Sequence, residues 1–89
     1  MIRIIIVEDE ILAANKLERL LGKSSYPIQV LQRLTSLSEA IRYFASSSNE
    51  GADLIFMDIN LGDGSCFELF EQLEIDIPII FTTAYDQYA

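Results

Sequence analysis

Ile2-Arg3-Ile4-Ile5-Ile6-Val7 leads straight into Glu8-Asp9-Glu10, so a short β-branched run breaks abruptly into three consecutive acids. A nearly continuous apolar run of this length suits a strand buried on both faces, as in a parallel sheet. From Ile11 to Leu21 the residues Ala13, Leu17, Leu20 and Leu21 recur at helical spacing, and Gly22 is a natural stop. Lys23 to Pro27 has loop composition. Ile28 to Leu34, whose alternation is imperfect, reads as a second strand. Ser36 or Ser38 can cap a second helix that carries Leu37, Ala40, Ile41 and Phe44 on one face, and the serine-rich stretch 46–51 ends it.

The same grammar continues. Leu54-Ile55-Phe56-Met57 is a third apolar strand that ends at Asp58, and Leu61-Gly62-Asp63-Gly64 is turn chemistry. Ser65 to Leu73 repeats Phe67, Leu69, Phe70 and Leu73 at helix period. Pro78 opens a fourth strand, Ile79-Ile80-Phe81, with Thr82-Thr83-Ala84 at its end; Tyr85 to Ala89 reads as the first turn of a further helix. Strands alternating with helices across short links predict an α/β parallel sheet.

Composition narrows the classes. At 89 residues the chain is one domain, and 51% hydrophobic with 22% charged residues places it well above the disordered range. Six basic against fourteen acidic residues give a net charge of −8, which repels nucleic acid and anionic membrane. The single cysteine, Cys66, fits a reducing, cytoplasmic compartment, and no apolar run approaches the roughly 18 residues of a membrane span. The absence of histidine removes Ser-His-Asp and Cys-His catalysis and leaves no usual zinc site. No glycine-rich phosphate cradle is present, and Asp63-Gly64 lacks the spaced acids of an EF-hand.

Ligands of open parallel sheets bind beyond the carboxyl ends of the strands. Those ends carry Glu8 and Asp9, then Asp58 with Asn60 two residues on, then Thr82 and Thr83. If the first, third and fourth strands are neighbours, three carboxylates and a hydroxyl converge. Oxygen-only donors of high charge suit a hard cation such as Mg²⁺, and an acidic Mg²⁺ site suits phosphoryl transfer, with a carboxylate as the acceptor. Each feature also has a plain explanation. Acids at a helix start complement its dipole, Asp63-Gly64 makes a turn, and a threonine after a strand is often a satisfied turn hydroxyl. Their conjunction at three successive strand ends favours the site. Phe44, Phe67 and Phe70 read as core, and Cys66 as a small apolar filler.

These residues resemble a known family. Ile4-Ile5-Ile6-Val7-Glu8-Asp9-Glu10, Leu54-Ile55-Phe56-Met57-Asp58-Ile59-Asn60-Leu61 and Ile79-Ile80-Phe81-Thr82-Thr83-Ala84-Tyr85 are similar to the receiver domain of two-component response regulators. The wording around Gly62-Asp63-Gly64 and Phe81 to Asp86 is most like receivers that precede a LytTR (LytR/AlgR) type DNA-binding domain. The resemblance covers the whole chain and implies a flavodoxin-like (CheY-like) parallel sheet of strand order 2-1-3-4. It further implies that Asp58 accepts a phosphoryl group from a sensor histidine kinase. Asp9 and Asp58 would hold Mg²⁺ directly, Glu8 through water and Asn60 through its backbone carbonyl. Thr83 would bind a phosphoryl oxygen and turn inward as the switch.

Two departures stand out. Gly62 occupies a position where many receivers carry proline, and the family's fifth strand, with its lysine, and fifth helix are absent from these residues. The 89 residues are thus expected to be a receiver incomplete at its C-terminus, exposing apolar surface and self-associating or forming a homodimer. DNA would be contacted only through an output domain outside this chain, and no membrane is expected. Two readings compete: a receiver-like dimerisation module that is not phosphorylated, and a Mg²⁺-dependent phosphohydrolase with Asp58 as nucleophile. Against the hydrolase, Asn60 stands where a second aspartate belongs, and Glu8 and Asp9 lie upstream. The family is not expected to act as an enzyme beyond its own phosphorylation and dephosphorylation.

Overall fold

The computed structural model of the chain describes residues 1–46 and 51–82. Its elements are β1 (Ile2–Val7), α1 (Ile11–Leu21), β2 (Ile28–Leu34), α2 (Leu37–Ala45), β3 (Leu54–Met57), β4 (Asn60–Leu61), β5 (Gly64–Ser65), α3 (Cys66–Gln72) and β6 (Ile79–Phe81). Four strands form one parallel sheet in the order β2-β1-β3-β6. This is the expected 2-1-3-4 order, because the fourth sheet strand is the sixth in the chain. The two extra strands are a small antiparallel hairpin, pairing Asn60 with Ser65 and Leu61 with Gly64, where the sequence suggested a turn alone.

Strand β1 is central, and its side chains alternate between two cores. Ile5 and Val7 join Leu34, Leu37, Ala40, Ile55, Met57, Cys66 and Leu69 in the larger cluster, which α2 and α3 cover. Ile4 and Ile6 face the other way and pack with Ala14 of α1. That two-sided burial is why residues 4–7 read as an unbroken apolar run rather than an alternating one.

The irregular alternation of β2 has a cause. Ile4 pairs with Val30 but Ile5 pairs with Gln32, so Leu31 is an extra residue on the outer strand. The bulge puts Ile28 and Val30 on the α1 side and Leu31 and Leu34 on the opposite side.

Both helices behind the larger core start on side-chain caps. Ser36 Oγ accepts from the Glu39 amide at 3.0 Å, which settles the choice between Ser36 and Ser38. Ser65 and Glu68 form a reciprocal capping box at the start of α3. Two expectations about faces need correction. In α1 the buried residue is Ala14, while Leu20 is half-exposed, because the helix leans on the sheet through Ala14, Leu17 and Leu21. Phe67 is also half-exposed, stacked at the flank of α3 against Phe70 and Phe81, with ring centroids 6.2 and 6.1 Å away.

Candidate functional site

The strand order reverses direction between β1 and β3, which is where a crevice forms at the carboxyl ends of such a sheet. The two strands run in register from Ile4 beside Leu54 to Val7 beside Met57, so they end level with each other. The residues that follow are locked by backbone bonds: the Glu8 amide donates to Leu34 O and the Asp58 amide to Val7 O, both at 2.9 Å. Strand pairing alone thus brings acids fifty positions apart in the chain to one place.

Glu8, Asp9 and Asp58 each offer a carboxylate oxygen, and the three atoms lie within 4.8 Å of one another. Glu10, by contrast, sits at the N-cap of α1 and makes no side-chain cap bond. Glu8 is pushed up to about 7. Burial is the main cause; the Glu10 amide, donating to Glu8 at 3.2 Å, opposes it, while hydrogen bonding to Asp58 and the charges of Asp58 and Asp9 reinforce it.

The remaining residues at these strand ends divide. The Asn60 amide donates to Asp58 Oδ1 at 3.3 Å, which sets Asn60 beside the cluster. Thr82 follows β6 with its amide on Met57 O at 3.0 Å and lines a cavity of about 200 Å³ with Glu8, Ala13, Lys16, Leu17 and Leu20. Thr83 lies outside the described residues. Cys66 is fully buried in the larger core, as its reading as filler implied, and its thiol is pushed up by burial and then by the charge of Asp58.

Asp63 is more than a turn residue. Its two carboxylate oxygens accept from the amides of Leu37 and Ser38 at the start of α2, at 2.7 and 2.9 Å. These bonds hold its carboxyl below the usual aspartate range, the Ser38 amide contributing most and the Leu37 amide next. No local signal announces such a contact, because the partners are about 25 positions away. Gly62 lies against the cluster itself: a β-carbon there would stand 3.3 Å from Asp9 Oδ2.

The donor set tests well for a hard divalent cation. All three groups are oxygen donors, their charges repel without a counterion, and an octahedral shell at about 2.1 Å spaces its oxygens roughly 3 to 4 Å apart. The observed spread needs little contraction to reach that range.

Residues 4–89 match the response regulator receiver domain family. The chain belongs to this family. The receiver is 30% identical over 92 residues to the sensory transduction protein LytT of Bacillus cereus, an alignment spanning 100% of this chain and 36% of that protein. It is 37% identical to LytT of Enterococcus faecalis, over 97% of this chain and 35% of the relative. Identity to the sensory transduction protein LytR of Staphylococcus haemolyticus is 38%, over 96% and 33%. The chain therefore spans about a third of the length of these curated relatives.

Solved structures agree on the fold of the receiver. The anti-anti-sigma factor PhyR from Bartonella quintana superposes with a TM-score of 0.74 at 27% identity, covering 97% of this chain and 34% of that one. The non-phosphorylated HemR receiver domain from Leptospira biflexa gives 0.69 at 26%, covering 99% and 72%. The family is one of signalling proteins rather than metabolic enzymes, and no helix among the described residues is long and apolar enough to cross a membrane.

Proposed function

We propose that this receiver is a phosphoacceptor: Asp58 takes a phosphoryl group from the phosphohistidine of a sensor histidine kinase. The single observation that carries the reading is the convergence of Glu8, Asp9 and Asp58 within 4.8 Å at the level ends of β1 and β3. An Oδ of Asp58 attacks phosphorus, a new O–P bond forms, the P–N bond breaks, and the imidazole leaves with its electron pair. Asp58 is oriented for this by its own amide on Val7 O and by the Asn60 amide on its side chain. Glu8, Asp9, Asp58 and the Asn60 carbonyl are the groups that would hold Mg²⁺. Bound there, the cation supplies positive charge that offsets the carboxylates and the entering phosphoryl oxygens.

Thr83 is proposed to contact the phosphoryl oxygens and act as the switch. The dianion added at Asp58 then biases a two-state element, and the change passes to an output domain. Likeness to LytT and LytR supports a transcription regulator whose DNA contacts lie outside this chain, working in the cytoplasm. Exposed apolar surface on β6 supports self-association of the 89 residues.

Acetyl phosphate with Mg²⁺ tests the proposal. Intact mass should rise by one phosphoryl group in the wild type and not in Asp58→Asn, and EDTA should abolish the gain. An unmodified wild type, or a modified Asp58→Asn, would overturn the assignment of Asp58. Turnover of small phosphoesters would point to a hydrolase instead.

A further inference from the structure

The segment after Asp58 is held from two sides. On its inner side, the Asn60 amide binds Asp58 Oδ1, and Gly62 lies so close to Asp9 that a β-carbon there would stand 3.3 Å from Asp9 Oδ2. On its outer side, Asp63 spans the first turn of α2, Oδ1 on the Leu37 amide and Oδ2 on the Ser38 amide. Those amides have no partner within their own helix, and an ionised carboxylate is among the strongest acceptors they can find. Gly64 lets the turn close on α2: with φ at +152°, any β-carbon there would fall 2.7 Å from Leu37 Cδ2.

We propose that Asp63 is a positioning residue for the acidic site, pinning the Asn60–Gly64 turn to the start of α2 and so fixing Asn60 and Gly62 against Asp58 and Asp9. The base of the hairpin is anchored by buried Ile59 and Leu61 and by the Cys66 amide on Ile59 O at 2.8 Å, whereas Asp63 at its tip is the side chain that ties it to α2. Ligand groups must be held within about 0.5 Å to work, so a loosened turn is felt at the carboxylates. Loss of a supporting partner behind a metal ligand typically weakens binding by about 10-fold or more. The pin stands on geometry alone; its consequence for Mg²⁺ rests on the cation reading of the site.

Amide NMR during Mg²⁺ titration tests it in the wild type, Asp63→Ala, Asp63→Asn and Ser36→Ala. Asp63→Ala should weaken Mg²⁺ binding roughly tenfold and move the Asn60 and Gly62 resonances even before Mg²⁺ is added. Asp63→Asn, which keeps one acceptor oxygen, should fall between the two. Ser36→Ala removes the other cap of the same helix terminus and should leave Mg²⁺ affinity within about twofold, because it does not touch the turn. Equal weakening by Ser36→Ala would reduce Asp63 to a helix cap and overturn the proposal. So would unmoved Asn60 and Gly62 resonances in Asp63→Ala. A wild type that binds no Mg²⁺ would overturn the cation reading, and the pin would then be decided by those two resonances without metal.

Discussion

The Glu8 carboxyl meets the Asp58 carboxylate across the boundary between β1 and β3, just beyond the paired residues Val7 and Met57. Burial, then Asp58 and Asp9, raise Glu8 to about 7 against the pull of the Glu10 amide, so the folded chain favours a proton there. A raised carboxyl contributes stability that is full below the ordinary value of 4.5 and is lost as pH climbs through about 7. Glu8 remains partly solvated, so screening brings the loss down to on the order of 1 kcal/mol. In EDTA, Glu8→Gln should therefore gain stability relative to wild type between pH 5 and pH 8, and Mg²⁺ should close the gap at pH 8. Thermal melts at the two pH values check this. A difference between variant and wild type that does not change with pH would sink it.

Gly64 is expected to tolerate no side chain. An added β-carbon would stand 2.5 Å from Glu68 Oε2 and 2.7 Å from Leu37 Cδ2, so those side-chain ends must move aside, and the backbone at φ +152° is one that a side chain rarely adopts. Gly64→Ala should cost about 1–3 kcal/mol, chiefly from backbone strain. Urea unfolding measures the loss; a change under about 0.5 kcal/mol, the range of an ordinary surface substitution, would show that the turn yields freely.

The sequence carried the sheet because its signals are local. Four apolar runs mark the strands, and Ser36 and Ser65 stand at helix starts with Glu39 and Glu68 three residues on, a capping spacing visible without coordinates. The acidic cluster was legible for the same reason: each acid directly follows a strand, so the parallel order alone brings them together. What escaped was whatever depended on distant partners. Leu31 looks like broken alternation until Ile5 is seen to pair with Gln32. Asp63 looks like half of an Asp-Gly turn until α2 arrives beside it. Phe67 has core spacing on its own helix, yet it is half-exposed and meets Phe81, a partner 14 positions away, at the flank of α3.

Cys66 reports on the integrity of the site. Its thiol is fully buried and is raised first by burial and then by the charge of Asp58, so little thiolate is present and less is reachable. Alkylation of the native chain at pH 8 should run on the order of a hundredfold slower than in denaturant, because it must wait for opening. Comparable native and unfolded rates would show that the packing of α3 onto the larger core does not bury this side chain in solution.

Among the described residues β6 pairs on one side only, and Phe67, Ile80 and Phe81 remain 52%, 47% and 42% exposed. Phe67 and Phe81 sit 6.1 Å apart and make a continuous apolar patch with Phe70. An open strand edge beside such a patch offers both unpaired backbone groups and area to a second copy. The 89-residue chain should therefore sediment as more than a monomer at tens of micromolar. Phe81→Asp puts a charge on the patch without touching Glu8, Asp9 or Asp58, and should shift the chain toward monomer by several-fold in dissociation constant. A monomer of wild-type sequence at these concentrations would mean that something among the chain's own residues covers Phe67 and Phe81.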